Sequence, residues 1–173
     1  MSTSAADRLM VVLNLSLTEL IWEVSGLNGG GIQAIPLLQN KIGPGNRALL
    51  TQFNGCAPFS ISLTKNLIDP VAARIAPDLE LPRSVAPHDL ALIDQNPTFR
   101  EHPWGAACWV VLEGGDLRIR CLKLDGTRLL RASEASTGET WHPIPLHDHG
   151  ILDVVKGRVV WIGREISSGG SCG

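Results

Sequence analysis

The sequence lacks the features that mark membrane-spanning, disulfide-rich and strongly basic proteins. No apolar run approaches the length needed to cross a bilayer. The four cysteines show no C-x-x-C spacing, which predicts reduced thiols, with Cys108 and Cys121 as small core residues. A formal net charge of −2 gives no global attraction to nucleic acid or anionic lipid. These absences predict a cytoplasmic protein that does not associate with membranes.

What is present favours one packed, mostly β domain. The 173 residues are 44% hydrophobic and 18% charged, which suits a single core with a short appendage. Eighteen glycines and eleven prolines favour many turns over long helices. Gly114-Gly115 and Asp125-Gly126 are typical of tight hairpin turns. Strands are predicted at about 32–38, 58–63, 90–94, 106–113, 117–124, 127–132 and 151–164.

The two ends are predicted to differ from this body, which spans residues 32–166. Residues 1–31 form a helical N-terminal extension, with short amphipathic helices at about 5–14 and 17–25 and a glycine-rich hinge. Residues 167–173 form a Gly/Ser tail that should be disordered. Residues 1–40 carry one basic residue against three acidic ones, the wrong sign for a phosphate-binding surface. DNA binding through a helix-turn-helix head is therefore possible but not favoured.

Four stretches of the body carry a family resemblance. They are IPLLQNKIG at 35–43, IAPDLELPRSVAPHDLALID at 75–94, LRIRCLKLDGTRLLRAS at 117–133 and KGRVVWIGRE at 156–165. In that order they resemble the cleavage segment, the nucleophile loop, the catalytic-lysine strand and the closing strand of LexA-like and phage CI-like self-cleaving repressors. The resemblance implies twisted antiparallel sheets of the LexA/signal-peptidase-like β-fold, preceded by the short helical extension.

The resemblance also shows what the chain has lost. Where the family has Gly-Asp-Ser-Met, this sequence has Pro77-Asp78-Leu79-Glu80, and Arg120 stands at the position of the lysine base. Ile42-Gly43 stands where the family has its scissile Ala-Gly. Neither Asp78 nor Leu79 can replace the nucleophilic hydroxyl, and arginine stays protonated where a neutral base is required. The resemblance therefore implies a pseudo-peptidase with no catalytic residues and a vestigial cleavage site.

The function implied by the resemblance is regulatory. Val159, Val160 and Trp161 lie in the segment that matches the closing strand, which contributes to the dimer interface in relatives. We expect a homodimer, with a heterodimer with an intact repressor as a further possibility. The expected role is a dimerising transcription-regulatory or repressor-modulating protein of phage or mobile-element origin, without cofactor or metal.

Three alternatives remain open at this point. Ser84 and Lys123 would form a displaced dyad cutting near Ile42-Gly43 only if Lys123 shared a face with Arg120, and their odd separation along a strand opposes this. His142, His147 and His149 are metal-capable, although their proline-rich surroundings favour an ordinary surface loop. The basic side chains of one hairpin form either an anion-binding face or, as we favour, routine solvated charges; they are Arg118, Arg120, Lys123, Arg128 and Arg131.

Overall fold

The computed structural model describes residues 31–103, 107–132, 140–146 and 150–164. The predicted N-terminal helices and the Gly/Ser tail lie outside the described residues. Within these ranges the mostly β prediction is confirmed, because nine strands and three helices of four or five residues make up the regular structure.

The strands follow one another along the chain with short connections. They are β1 (Ile32–Leu38), β2 (Phe53–Ser60), β3 (Val71–Arg74), β4 (Leu90–Asp94), β5 (Cys108–Glu113), β6 (Asp116–Asp125), β7 (Arg128–Ala132), β8 (Trp141–Pro143) and β9 (Val155–Gly163). The helices are α1 (Ile61–Thr64), α2 (Pro97–Glu101) and α3 (Ile151–Val154). Asn96 caps α2 by accepting from the Thr98 N–H at 3.0 Å, as expected for an Asn before a helix that begins with proline.

One sheet holds all nine strands in the order β2-β1-β3-β4-β9-β5-β6-β7-β8. Every neighbouring pair is antiparallel except β1 and β3, which meet in parallel where Leu37 faces Ala72. The sheet is therefore mixed, with one parallel junction among otherwise antiparallel pairs. The chain enters β3 after the β1–β2 hairpin and α1, so it returns to the sheet in the direction of β1.

The sheet is buried on both faces near its centre. Along β5, Cys108 and Val110 contribute to one apolar cluster, while Trp109 and Val111 contribute to another. This alternation follows from the two-residue period of a strand. A third cluster, around Ile35 and Leu92, packs beneath the β1–β2 hairpin. The central strands therefore hold their side chains rigidly on either face.

Most strand predictions are confirmed, and the differences have local causes. The strand predicted at 58–63 begins earlier, at Phe53, and ends where Ser60 caps α1. The strand predicted at 151–164 begins as a helical turn, α3, before β9. β3 and β8 were not predicted, because four and three residues are too short to show a strand period.

Candidate functional site

A buried ion cluster occupies the place where the resemblance puts the catalytic pair. Arg120 on β6 is fully buried, and its Nη1 donates to Asp78 Oδ2 at 2.9 Å. Its Nη2 lies 3.1 Å from Glu80 Oε2 and 3.2 Å from Glu113 Oε2. Arg131 on β7 donates through Nη1 to Glu80 Oε2 at 2.6 Å. Two guanidinium groups and three carboxylates thus form one network, which we call the Arg120 cluster.

The strand pattern explains how Arg120 comes to be buried. Arg120 lies opposite Trp109 in the β5–β6 hairpin, on the same face as Glu113 at the hairpin's end. Asp78 and Glu80 arrive from the loop between β3 and β4, where Asp78 Oδ1 accepts from the Glu80 N–H at 3.0 Å. A buried charge is tolerated when it is paired and hydrogen-bonded, and Arg120 is paired with three carboxylates and donates through Nε and Nη1. The interpretation of Arg120 as a solvated charge was therefore wrong.

The cluster fixes the charge state of Asp78. Burial opposes ionisation of this carboxyl, but hydrogen bonds from the Glu80 backbone and the Arg120 guanidinium outweigh it, so the pKa of Asp78 lies below its ordinary 3.8. Asp89, at the start of β4, behaves similarly. Hydrogen bonds from Arg164 at 2.8 and 3.1 Å outweigh its burial and lower the pKa of Asp89. Both residues are carboxylates at neutral pH.

Acid should therefore destabilise the fold. A folded-state pKa below the unfolded value contributes stability above the unfolded pKa, and this contribution is lost as the pH falls through the folded pKa. We expect the urea midpoint to fall steadily below about pH 4. In that range Asp78 and Asp89 bind protons more readily in the unfolded chain than in the folded one, so acid favours unfolding. Urea titrations from pH 6 to pH 2.5 measure this loss. Asp89→Asn, which retains an acceptor for the Ala86 N–H, should weaken the pH dependence; an unchanged dependence would contradict the assignment of Asp89.

Leu79, at the position of the family's serine, lies on the surface and is fully exposed. It lines a cavity of about 490 Å³ together with Pro44, Pro77, Asp78, Glu80 and Arg118. The side chain has no hydroxyl and no acidic proton. The cavity therefore has an apolar side chain at the point where the resemblance expects a nucleophile.

The segment at Ile42-Gly43, which the resemblance aligns with the family's cleavage site, runs directly beside this loop. Ile42 is buried and forms a parallel bridge with Ile75, donating to Arg74 O at 2.9 Å and accepting from the Ala76 N–H at 2.8 Å. Gly43 follows with φ 151°, and a β-carbon placed on it would lie 2.7 Å from Ala76 Cβ. The structure thus brings Ile42 and Gly43 close to Asp78 and Leu79 in the fold, although they are far apart in sequence.

Gly43 is needed for this packing whatever its relation to cleavage. Gly43→Ala should lower the free energy of unfolding by about 1–3 kcal/mol, because alanine disfavours the positive φ and its methyl meets Ala76. Gly45→Ala is the matched control, since Gly45 also has a positive φ of 74° but open space around it. Urea denaturation compares the two variants. Equal losses of stability in the two variants would show that the cost of alanine at position 43 comes from backbone strain and not from contact with Ala76.

Asp116 fixes the chain that follows Gly43. This residue begins β6, and its carboxylate accepts from the Gly45 N–H at 2.8 Å and the Arg47 N–H at 3.3 Å. These hydrogen bonds from the Gly45 and Arg47 backbones lower the pKa of Asp116. The β5–β6 hairpin therefore holds both the Arg120 cluster and the segment that follows Ile42-Gly43.

No family model matches this chain, and no curated protein sequence matches it. Among the described residues, no group of three or more His, Cys, Asp or Glu is arranged to hold a metal ion. His147 and His149 lie outside those ranges. None of the described helices is long and apolar enough to cross a membrane.

The alternative dyad is not assembled. Ser84 Oγ lies 3.8 Å from Cys108 Sγ, whereas Lys123 Nζ sits 4.3 Å from the centre of the Trp141 ring. Within the described part of the chain the two side chains share no hydrogen bond. The prediction that Lys123 and Arg120 point to opposite faces of β6 agrees with these contacts.

The residues predicted for the dimer interface lie on the outer half of β9. Val159 and Val160 are half-buried, and Trp161 is 38% exposed. The Trp161 ring meets Phe59 edge-on, with 5.2 Å between ring centroids. In the described residues β9 pairs with β5 only over Val155–Arg158, so that beyond Arg158 it pairs with β4 alone.

Sequence reasoning missed Glu80, Glu113 and Arg131 as members of the cluster. Glu113 could have been found, because it closes the hairpin turn on the same face as Arg120. Glu80 could not, since it reaches the cluster from an irregular loop whose path no periodicity reveals. A second cavity of about 670 Å³ lies beside the cluster and is lined in part by Glu113, Arg131, Asp153 and Lys156.

Proposed function

We propose that this chain is a non-catalytic domain similar to the LexA/CI repressor C-terminal domain, which regulates by association and not by cutting a peptide bond. The observation that supports this most strongly is the Arg120 cluster. The position of the general base holds a permanently charged guanidinium in contact with three carboxylates. A guanidinium cannot take a proton from a nucleophile, and the three carboxylates around it are engaged by the Arg120 and Arg131 guanidinium groups.

The neighbouring residues support the same proposal. Leu79 offers no nucleophile, so covalent catalysis at this position has neither attacking atom nor base. The cluster also restrains the loop, because Asp78 and Glu80 are both joined to Arg120. The loop that would hold a serine in a peptidase is thus used to bury an ion network.

The segment beside the loop is held as a strand-like element and not as a substrate. Ile42 contributes both its N–H and its carbonyl to hydrogen bonds with the chain at 74–76. Its side chain is buried in the same cluster as Ile75 and Val110. This burial supports a structural role for Ile42, because cutting the Ile42-Gly43 bond would require part of the core to open.

Association is proposed to occur through the outer half of β9. Among the described residues, β9 has no strand partner on its β5 side beyond Arg158, and Trp161 is exposed there. A strand edge of this kind with an exposed apolar side chain is a template for pairing with another chain. Trp161 provides the large aromatic side chain that is enriched at protein interfaces. We propose a homodimer through Val159, Val160 and Trp161, with an intact repressor as an alternative partner. A cytoplasmic location is part of the proposal and suits the free thiols of Cys56, Cys108 and Cys121.

Intact mass spectrometry after incubation at neutral and alkaline pH tests the loss of catalysis. We expect the full chain of 173 residues under both conditions. Fragments corresponding to 1–42 and 43–173 would overturn the proposal. If they appeared, Ser84→Ala and Lys123→Ala would show whether the displaced pair performs the cut.

The dimer surface is tested by substitution on β9. Trp161→Arg should shift the protein from dimer to monomer in sedimentation velocity, because a charge replaces the apolar centre of the proposed interface. Leu112→Arg is the matched control, since Leu112 on β5 is also 38% exposed but lies at the hairpin end. The control should remain a dimer. Two variants with the same association state, whether dimer or monomer, would exclude Trp161 as the specific contact.

A further inference from the structure

Two cysteines face each other across the β5–β6 hairpin. Cys108, the first residue of β5, is paired with Cys121 of β6, and both are free thiols. Their side chains lie on the same face of the sheet and pack into the same apolar cluster as Val110 and Ile119. Cys108 is buried, while Cys121 is half-buried and so retains access to small molecules.

The hairpin register places this pair in favourable geometry for a disulfide. Gly114 and Gly115 have φ of 59° and 84°, which is a two-residue turn closed by the pair Glu113 and Asp116. Hydrogen-bonded and non-hydrogen-bonded pairs alternate away from that closing pair. Five steps along, Cys108 and Cys121 form a non-hydrogen-bonded pair. Its Cα atoms are expected about 4.5 Å apart, within the range of about 4.4–6.8 Å that disulfides span.

The thiols also act on each other. The neighbouring Cys108 thiol lowers the pKa of Cys121 to about 7 although burial opposes it. The neighbouring Cys121 thiol and burial together raise the pKa of Cys108. Ser84, 3.8 Å from Cys108 Sγ, is a further polar neighbour. Cys121 is the more accessible of the two thiols, so it acts as the nucleophile and Cys108 as the resolving thiol.

We propose that Cys108 and Cys121 form a redox-active dithiol that a small hydroperoxide converts into a cross-strand disulfide. The Cys121 thiolate attacks one peroxide oxygen, the O–O bond breaks, and a sulfenic acid and hydroxide form. Cys108 then attacks the Cys121 sulfur. A disulfide bond forms, the S–O bond breaks, and the departing oxygen leaves as water with the Cys108 proton. The two sulfurs are oxidised by two electrons and the peroxide is reduced to water.

The proposed dithiol is independent of the proposed regulatory function, because it depends only on the register of one hairpin and on two facing side chains.

The test treats the full chain with hydrogen peroxide and maps the products without reduction. Trypsin releases Cys108 in the peptide 101–118 and Cys121 in the peptide 121–123, so the disulfide joins two defined peptides. We expect this linked species, with both thiols lost together from a monomeric chain and recovered with dithiothreitol. Exposed Cys56 should stay alkylatable at peroxide doses that consume the pair. Cys121 halting as a stable sulfinic acid beside a free Cys108, or oxidation confined to Cys56, would overturn the proposal.

Two controls separate geometry from general thiol chemistry. In a Cys56→Ser/Cys172→Ser chain the linked peptides should still form, because the pair is unchanged. Adding Cys108→Ala should leave Cys121 as a sulfenic acid that dimedone traps, since the resolving thiol is gone. The wild-type chain oxidised in guanidinium should give mixed disulfides among its four cysteines. If native and denatured chains gave the same mixture, the folded register would have no role and the proposal would fail.

Discussion

Arg120→Leu should lower the free energy of unfolding by about 3–5 kcal/mol, measured by urea denaturation at neutral pH. The substitution removes the cation that pairs with Asp78, Glu80 and Glu113, and it leaves the nearly buried Asp78 carboxylate without its charged partner. Breaking a buried ion pair from one side costs far more than the pair contributes, because the remaining charge stays desolvated. The loss should shrink in acid, where Asp78 takes up a proton.

Two further variants separate the effect of the Arg120 charge from that of its burial and its planar guanidinium group. Arg131→Leu removes a cation that is partly exposed and contacts Glu80 at the edge of the cluster, so we expect a loss of about 1 kcal/mol. Arg120→Lys retains the charge but loses the planar fork that reaches several carboxylates at once, which should place it between the two leucine variants. If Arg120→Leu cost no more than Arg131→Leu, the Arg120 cluster would not be the buried network described above.

Much of the hairpin was readable from the sequence because turn chemistry fixes it. Gly114-Gly115 and Asp125-Gly126 marked the turns, and β5, β6 and β7 begin and end within two residues of their predicted bounds. The turn position also fixes which residues face each other across the hairpin. Counting back from the Gly114-Gly115 turn sets Cys108 opposite Cys121, so this contact was present in the sequence although it was not drawn from it.

The candidate site was less predictable because half of it comes from irregular chain. The resemblance predicted that Asp78, Arg120 and Ile42 belong to one site. In the structure Asp78 contacts Arg120 of β6, and Ile42 pairs with Ile75 just after β3. The separate interpretation of five basic residues on one hairpin as solvated charges did not anticipate the burial of Arg120. Glu80 is one of the carboxylates that pair with buried Arg120. Its position depends on the fold of the irregular loop at 76–88.

The second large effect is expected at Trp109, which lies opposite Arg120 in the β5–β6 hairpin. Its side chain belongs to the apolar core cluster that also contains Val111, Leu122 and Leu129. The side chain is almost completely buried, and its indole N–H has no hydrogen-bond partner among the described residues. Trp109→Ala should therefore lower the free energy of unfolding by about 3–5 kcal/mol through lost burial and the cavity left behind.

Trp109→Phe should cost about 1–2 kcal/mol, because it keeps most of the apolar volume and there is no hydrogen bond to lose. Trp141→Ala is the matched control on β8. Trp141 is only partly buried, and its contact with Lys123 is worth about 0.5–1 kcal/mol. Far-ultraviolet circular dichroism follows unfolding in all three variants without relying on tryptophan fluorescence. A loss in Trp109→Ala no larger than that in Trp141→Ala would show that the face beneath Arg120 is not a packed core, and the rigid burial of the ion cluster would lose its support.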